Sequence, residues 1–249
     1  MHDVQVLGVG VGQLDREALT ASLLAAARAG ECRMYSYLNV HALNLACADS
    51  RFRAILNGAA VTYCDGEGVR VGARLLGQYL PPRTVLTYWI WDLCRIFQDE
   101  GVSVYFLGGK SEVVTAAVGI IKSRFPRLRV AGWHHGYFQK TGEESRTVIQ
   151  QINSAAPDVL FVGFGMPMQE YWIEENRPTL RAGAVLPSGS MIDYIAGARK
   201  PAPPWMADHG LEWLFRFARE PRRLWRRYLF GNPLFLFRVI GQRIRSGGD

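Results

Sequence analysis

The chain has 249 residues, and its hydrophobic fraction of 49% suffices for one large domain, or for one domain with an appendage. A membrane-spanning, secreted or zinc-binding protein is not expected, because the sequence has no apolar run of ~18 residues, no signal-peptide pattern and no paired cysteine motif among its four cysteines. The net charge of +7 comes from residues 199–249, which hold 11 of the 29 basic residues and 4 of the 22 acidic ones, and this places a compositional boundary near residue 198.

The first third of the chain alternates between strand and helix patterns. Val4 to Val9 is predicted as a strand, and Gly8, Gly10 and Gly12 favour a glycine-rich turn over a dinucleotide-binding loop, whose Gly-x-Gly-x-x-Gly spacing is absent. Asp15 is predicted to cap a helix that runs to Arg28. Strand, helix, strand and helix patterns then follow at 34–38, 41–57, 61–64 and 67–77.

Two polar residues stand directly after neighbouring strand candidates. Asn39 follows the strand at 34–38, and Asp65 follows the strand at 61–64 and precedes a glycine. Residues just past the carboxyl ends of parallel strands line the ligand crevice, so we expect both side chains to face one pocket. Asp65 is either a general base or the N-cap of the next helix, and one residue can serve both purposes.

The middle of the chain adds a glycine pair between a strand and a helix. Pro81, Pro82 and Arg83 break the pattern before an aromatic helix at 88–97. An apolar strand at 102–107 ends in Gly108 and Gly109, and a helix at 111–124 opens with Ser111 as its predicted cap. A strand, a glycine pair and a helix N-terminus form the geometry that holds phosphate or ribose oxygens.

The remaining strands are predicted at 128–131, 158–163 and 184–187. His134 and His135 are adjacent and point to opposite sides of an extended chain, which argues against a shared metal. Gly163 and Gly165 bring the backbone close to a ligand, while Gln169 opens a helix and can bond a sugar or base; the alternative for Gln169 and Glu170 is a solvated first turn. This alternation predicts an α/β fold, a parallel sheet with helices on both faces.

The basic segment from residue 199 onward is predicted to be helical at 205–217 and at 222–229. In the first helix Asp208, Glu212 and Arg216 oppose the apolar side. Arginines beside Trp and Phe are typical of a helix that lies on an anionic membrane surface, and the aliphatic and Phe-rich run suits acyl chains better than nucleic acid. The alternative is that these apolar residues pack on the core.

A set of motifs occurs in a fixed order along the chain: Asn39-Val-His-Ala-Leu-Asn-Leu, Asp65-Gly, Arg83, Phe106-Leu-Gly-Gly109, Gly136-Tyr-Phe138, Gly163-Phe-Gly-Met-Pro-Met-Gln-Glu170, Gly210-Leu-Glu-Trp-Leu-Phe-Arg216, Glu220-Pro-Arg-Arg-Leu224 and Arg226-Arg-Tyr-Leu229. Over about residues 4–240 the sequence closely resembles the bacterial WecG/TagA/CpsF glycosyltransferases. The resemblance implies a Rossmann-like catalytic domain over residues 1–198 and a helical, membrane-docking C-terminal appendage over residues 199–249.

The resemblance also implies an activity. It is the inverting transfer of a sugar from a UDP-sugar to a polyprenyl-diphosphate-linked sugar, at the cytoplasmic face of the membrane, in surface polysaccharide or exopolysaccharide synthesis. Asp65 is then the base, Asn39 orients the sugar and Arg83 meets the leaving diphosphate. The residues expected to bind substrate are Gly108, Gly109, Tyr137, Gly163, Gly165, Gln169, Asp193, Arg216 and Arg223.

No cofactor is expected, because the metal-chelating Asp-x-Asp of other glycosyltransferases is absent and arginines can balance the diphosphate charge. Asp65 and Glu67 are the alternative metal ligands. The chain departs from the family pattern at Tyr37, where a threonine is usual, at 85–88, at 187–190 and at 201–203, where Arg199 or Lys200 can supply a missing cation. These departures leave the donor sugar open between an N-acetylmannosamine type and a hexose such as glucose.

Two other classes of function remain open. An NAD-dependent oxidoreductase would need the glycine spacing that the sequence lacks, and a non-catalytic membrane adaptor would use the basic segment alone. A homo-oligomer is compatible with the sequence, and nucleic acid is not an expected partner.

Overall fold

The computed structural model describes residues 4–203, 205–206 and 209–246. The strands are β1 (Val4–Val6), β2 (Val9–Val11), β3 (Arg33–Leu38), β4 (Val61–Cys64), β5 (Val104–Gly108), β6 (Val130–His134), β7 (Val159–Gly163) and β8 (Ala184–Pro187). The helices before the appendage are α1 (Arg16–Ala29), α2 (Val40–Ala48), α3 (Ser50–Asn57), α4 (Glu67–Leu75), α5 (Leu86–Asp99), α6 (Ser111–Arg124), α7 (Gly142–Ala155), α8 (Met168–Asn176) and α9 (Met191–Ile195).

A six-stranded parallel sheet in the order β4-β3-β8-β7-β5-β6 forms the centre of the molecule. Side chains alternate between its two faces, as a strand period of two requires. Along β5, Phe106 joins one buried cluster with Trp89, while Tyr105 and Leu107 join another with Trp172. The predicted Rossmann-like α/β sheet with helices on both faces is confirmed.

The N-terminal segment differs from its prediction. Val4 to Val9 is not one strand, because β1 and β2 pair antiparallel around a tight turn at Leu7 and Gly8, where φ is 52° and 78°. Positive φ at both central residues is the geometry of a two-residue hairpin turn. Leu7 gives no sequence signal for such a turn, so the apolar run conceals it.

Two of the predicted helices differ from the structure at their capping residues. The predicted helix at 41–57 is two helices, because the Asp49 carboxylate accepts hydrogen bonds from the backbone of Arg51 and Phe52 and starts α3 there. Ser111 is the first helical residue of α6 and not its cap, a position taken by Lys110. The predicted cap at Asp15 is confirmed by its 2.8 Å bond from the Ala18 amide.

From residue 212 to residue 246, the appendage forms four helical elements: α10 (Glu212–Arg219), α11 (Pro221–Trp225), a π-helical turn (Arg226–Phe230) and α12 (Gly231–Ser246). The predicted helix at 205–217 is described only in part, and Asp208 lies outside the described residues. Phe235 and Val239 of α12 are buried in a cluster with residues of α2 and α4, so some apolar residues of the appendage do pack on the core. No helix within the described ranges is both long and apolar enough to cross a membrane.

Candidate active site

A cleft of about 1050 Å³ opens where β3, β4, β7 and β8 end. Its floor comes from residues after these strands, as expected for a parallel sheet, and the appendage forms the opposite wall. The lining includes seven of the predicted site residues: Asn39, Asp65, Arg83, Gly165, Asp193, Arg216 and Arg223. The sheet and the appendage therefore share one site.

Asn39 and Asp65 are brought together by the register of β3 and β4. Leu38 and Cys64 are paired across these strands, so the next residue of each strand lies at the same level. The side-chain oxygen Oδ1 of Asn39 caps α2 by accepting a 3.1 Å hydrogen bond from the Ala42 amide, and the same side chain hydrogen-bonds the Asp65 carboxylate. The cap interpretation of Asp65 is wrong, because α4 is preceded by Gly66 and has no side-chain cap.

The environment of Asp65 suits a general base. Burial raises the pKa of this carboxyl to about 6, although Arg216 and Arg83 oppose the shift; Glu212 adds to it. A carboxylate of this pKa is ionised at neutral pH but holds a proton more readily than an exposed aspartate. A base whose pKa lies near the working pH removes a hydroxyl proton efficiently.

Arg83 is engaged by the appendage in this structure. Its guanidinium forms an ion pair with Glu212, and the side chain of each partner is 17% exposed. Tyr88 donates a second hydrogen bond to the same carboxylate at 3.2 Å. Its role at the leaving diphosphate stays a prediction, and binding there requires sharing or exchange with Glu212.

Two further arginines, Arg216 and Arg227, line the cleft and act electrostatically on Asp65. Arg216 donates from Nε to the Tyr194 hydroxyl at 2.9 Å and acts electrostatically on Asp65. Arg227 lines the same cleft and forms no ion pair with any carboxylate of the described residues. Burial lowers the pKa of Arg227, but a guanidinium stays charged throughout the physiological range.

Arg227 is a functional candidate that the sequence reasoning missed. Its motif, Arg226-Arg-Tyr-Leu229, was among the residues that carry the family resemblance, but composition gave no reason to single out one arginine among many. The signal that identifies it is geometric: the π-helical turn directs it into the cleft beside Tyr37 and Asp65.

Three other charged residues of the cleft lining, Asp193, Arg199 and Arg223, form a network with Glu220. Arg223 pairs with Glu220, Arg199 donates to Glu220 at 3.0 Å, and Arg199 also lies 4.0 Å from Asp193. Asp193 is therefore held by a cation, and Arg199 is held by two acids. That Arg199 or Lys200 supplies the cation missing from the motif at 201–203 stays a prediction.

Gln169 holds three segments of the floor together. Its side-chain oxygen accepts from the amides of Gly165 and Gly189, at 3.2 and 3.0 Å, and its nitrogen donates to Tyr37 and Glu170, at 3.2 and 2.7 Å. Gln169 and Glu170 are both 0% exposed, so the interpretation as a solvated first turn is wrong. In this structure the Gln169 amide bonds only to protein groups. Its contact with the sugar donor stays a prediction.

Like Gln169, the other four predicted residues lie outside the cleft lining. At Gly108, an added Cβ would lie 2.5 Å from the Gly163 carbonyl, and at Gly163 it would lie 2.8 Å from the Gly189 carbonyl. Close approach of neighbouring backbones thus requires glycine at both positions. Gly109 accepts a 2.7 Å bond from the Gly136 amide, and the side chain of Tyr137 is 71% exposed.

Glu67, the alternative metal ligand, forms an ion pair with Arg70 at 2.9 Å. Across the part of the chain that the structure describes, no group of three or more His, Cys, Asp or Glu side chains is arranged to hold a metal ion. Metal independence stays a prediction for experiment.

Known proteins resemble this chain over most of its length. The profile of the WecG/TagA/CpsF glycosyl transferase family matches residues 4–248. Curated relatives include N-acetylglucosaminyldiphosphoundecaprenol N-acetyl-β-D-mannosaminyltransferases from Staphylococcus aureus strains MW2 and NCTC 8325, each 29% identical over 201 residues, which is 81% of this chain and 77% of the relative. Because the family match spans the sheet, the cleft and the appendage alike, the chain is a member of the WecG/TagA/CpsF family of glycosyltransferases.

Proposed function

We propose that the protein transfers a sugar, with inversion, from a UDP-sugar to a sugar linked to a polyprenyl diphosphate. The observation that carries the proposal is a carboxylate of raised pKa, Asp65, facing Arg216 and Arg227 in one cleft. The relatives named above act, by their names, on a diphosphoundecaprenol-linked sugar. An acceptor of the same chemical class fits a cleft whose wall is an arginine-rich appendage.

The proposed reaction is a single displacement at the anomeric carbon. Asp65 takes the proton of the acceptor hydroxyl as its oxygen bonds to that carbon. The bond to the UDP oxygen breaks at the same time, and its electron pair leaves with the diphosphate. Arg216 and Arg227 balance the developing charge through charge-assisted hydrogen bonds. One displacement by one base inverts the anomeric configuration.

The floor of the cleft bears on the donor sugar. Tyr37 lines the cleft, and its hydroxyl is fixed by Gln169. A ring at this position takes up volume next to Asn39 and Asp65. An N-acetylmannosamine donor, as in the names of the relatives, and a plain hexose donor such as glucose are the two candidates. They differ in bulk at the 2-position of the sugar.

A donor screen tests the proposal. The purified protein is incubated with undecaprenyl-diphosphate-linked N-acetylglucosamine and a panel of UDP-hexoses and UDP-N-acetylhexosamines. We expect UDP release with one donor class and a product of inverted anomeric configuration by NMR. The Asp65→Asn variant is the blank, and Asp99→Asn, which removes an exposed carboxylate outside the cleft lining, is the matched control. UDP release no faster than that of Asp65→Asn with every donor and acceptor would refute the proposal and favour a non-catalytic adaptor.

Peripheral attachment to the inner face of the membrane is part of the same proposal. The acceptor of such a reaction is anchored in lipid, so the cleft has to reach the membrane surface. The appendage carries exposed apolar side chains and arginines on its outer surface, including Phe237 at 76% exposure. This composition is that of an interfacial helix.

A further inference from the structure

Helix α10 covers the cleft without burying any of its own residues in the core. Its Trp213 and Phe217 rings contact Tyr228 within the appendage, whereas polar side chains along one edge join the helix to the catalytic domain. Glu212 and Arg216 are one turn apart and face the same side. Both act electrostatically on Asp65.

Glu212 receives two donors from the catalytic domain. Arg83 forms the ion pair described above, and Tyr88, near the start of α5, donates to the other carboxylate oxygen. Burial and the Glu212 carboxylate raise the pKa of Tyr88 to about 12, so it keeps its proton and acts as a donor. The two contacts span 129 and 124 residues of sequence and join α10 directly to the loop before α5 and to the start of α5.

Arg216 depends on the same placement of α10. It reaches Tyr194 of α9, with its guanidinium carbon 5.3 Å from the ring centre, and faces Asp65 from the appendage side. If the N-terminal end of α10 moved away, Arg216 would leave the base. The position of Arg216 opposite Asp65 therefore depends on Glu212, which lies one turn before it in α10.

We propose that Glu212 is a positioning residue whose contacts with Arg83 and Tyr88 fasten α10 over the cleft and keep Arg216 opposite Asp65. The proposal deepens the glycosyl transfer proposed above and rests on it where turnover is the readout. It assigns to Glu212 a function in the reaction that requires no contact with substrate.

A negative charge at Glu212 also has an electrostatic consequence. Asp65 is faced from several elements by polar or charged groups: Tyr37 and Asn39 at the end of β3, Tyr63 and Cys64 of β4, Arg83 before α5, Glu212 and Arg216 of α10, and Arg227 of the π-helical turn. Among the charged members of this set, Glu212 is the one of like sign to Asp65. Removing its charge alone stabilises the Asp65 carboxylate, so the pKa of Asp65 should fall.

Two variants separate the contact from the charge. Glu212→Gln keeps an oxygen for Arg83 and Tyr88 but removes the charge, whereas Glu212→Ala removes both. We expect Glu212→Gln to retain most of its turnover at pH 8 and to shift the acid limb of the kcat/KM profile to lower pH. We expect Glu212→Ala to lose about tenfold or more in kcat, because Arg216 is no longer held opposite the base. Glu220→Gln, another paired appendage carboxylate, is the control that should leave the acid limb in place.

Hydrogen–deuterium exchange of residues 212–219 provides a readout that does not depend on activity. In Glu212→Ala these amides should exchange about tenfold faster than in the wild type or in Glu212→Gln, because the contacts that join the N-terminal end of the helix to Arg83 and Tyr88 are gone. Equal exchange in Glu212→Ala and wild type would overturn the proposal. So would an unshifted acid limb in Glu212→Gln, or an equal shift in Glu220→Gln. A wild-type protein that transfers no sugar would refute the proposed function, and the exchange experiment would still decide on Glu212.

Discussion

At the scale of single residues, the base is defined by groups that are distant in sequence. The position of Asp65 after a strand is visible in the sequence, and the structure places Asn39 beside it as the strand pattern predicts. The groups that tune it, Arg216 and Glu212, lie on the appendage some 150 residues later and could not be found by spacing. Arg227 was missed for the same reason, because only the folded appendage brings it into the cleft.

The first prediction concerns the pH dependence of turnover. Asp65 has to be ionised to accept a proton, and burial raises its pKa to about 6. Activity should therefore be full above this pH and fall as the pH drops through about 6. Asp65→Asn should lose roughly 10²–10⁴-fold in kcat at pH 8, with UDP affinity by calorimetry nearly unchanged. A variant that kept half of its activity would show that another group is the base.

Asp65→Asn should also affect stability with a definite sign. The folded-state pKa is raised above that of the unfolded chain, so the folded protein binds the proton more tightly. The protonated carboxyl therefore contributes to the free energy of unfolding at low pH, and this contribution is lost as the pH rises through about 6. The variant should therefore have a higher Tm than the wild type at pH 8, and the gain should shrink towards pH 4. A gain in Tm independent of pH would contradict this electrostatic account.

The third residue-scale prediction concerns metal. Since arginines face the cleft and an Asp-x-Asp is absent from the sequence, transfer should continue in excess EDTA. Arg216→Ala and Arg227→Ala should each reduce kcat by about tenfold or more, because the leaving diphosphate loses a counter-charge. Loss of activity in EDTA that Mg²⁺ restores would point instead to Asp65 and Glu67.

At the scale of elements, regular patterns predicted well and local turns did not. β8 and α6 begin and end at the predicted residues, because each is a strong apolar period bounded by Pro, Gly or a loop. The β1–β2 turn and the break at Asp49 depend on one backbone conformation and one capping carboxylate, which a periodicity of apolar residues does not register. In the same way, the sequence left a solvated first turn open as the alternative for Gln169, because its partners Tyr37 and Gly189 are distant in sequence.

The prediction at this scale is the effect of removing the Gln169 side chain's contacts. Gln169→Leu keeps a similar volume but leaves the amides of Gly165 and Gly189 and the buried carboxyl of Glu170 without their partner. Each buried unsatisfied group costs about 1–3 kcal/mol, so the free energy of unfolding should fall by about 3 kcal/mol or more in urea titrations. Gln151→Leu, on the exposed face of α7, is the matched control and should stay within about 0.5 kcal/mol of the wild type. A loss in Gln169→Leu no larger than in the control would mean that the loops are held by other contacts.

At the scale of the whole molecule, α12 has one side packed on the core and one side exposed. Phe235 and Val239 are buried against the catalytic domain, and at Gly72 of α4 an added Cβ would lie 2.5 Å from the Phe235 ring. The composition of residues 199–249 predicted a helix that lies on a membrane surface, with packing on the core as the alternative. One side of α12 does pack on the core, and the other side carries exposed apolar residues, for which contact with a membrane stays a prediction. Truncation after Gly197 would thus remove part of the core together with the outer face, so point substitutions are the sharper experiment.

Membrane docking is therefore predicted to depend on the outer face of α12. Phe237, Ile240 and Ile244 recur at intervals of three and four residues and are 76%, 52% and 71% exposed. Arginines 243 and 245 lie in the last turn of the same helix, where an anionic surface adds about 1 kcal/mol for each. Apolar side chains aligned beside arginines fit the interface between headgroups and acyl chains.

The triple substitution Phe237→Ser, Ile240→Ser and Ile244→Ser should weaken binding to anionic vesicles on the order of a hundredfold or more, because burying each apolar side chain contributes about 1.5 kcal/mol or more. Its Tm and its affinity for UDP should stay near those of the wild type, since these side chains face away from the core. Transfer to a membrane-embedded acceptor should fall, whereas transfer to a short-chain, water-soluble acceptor should persist. Ile120→Ser, at an isolated exposed position of α6, is the control for loss of an apolar side chain. Vesicle binding by the triple variant equal to that of Ile120→Ser would place the docking surface elsewhere on the protein.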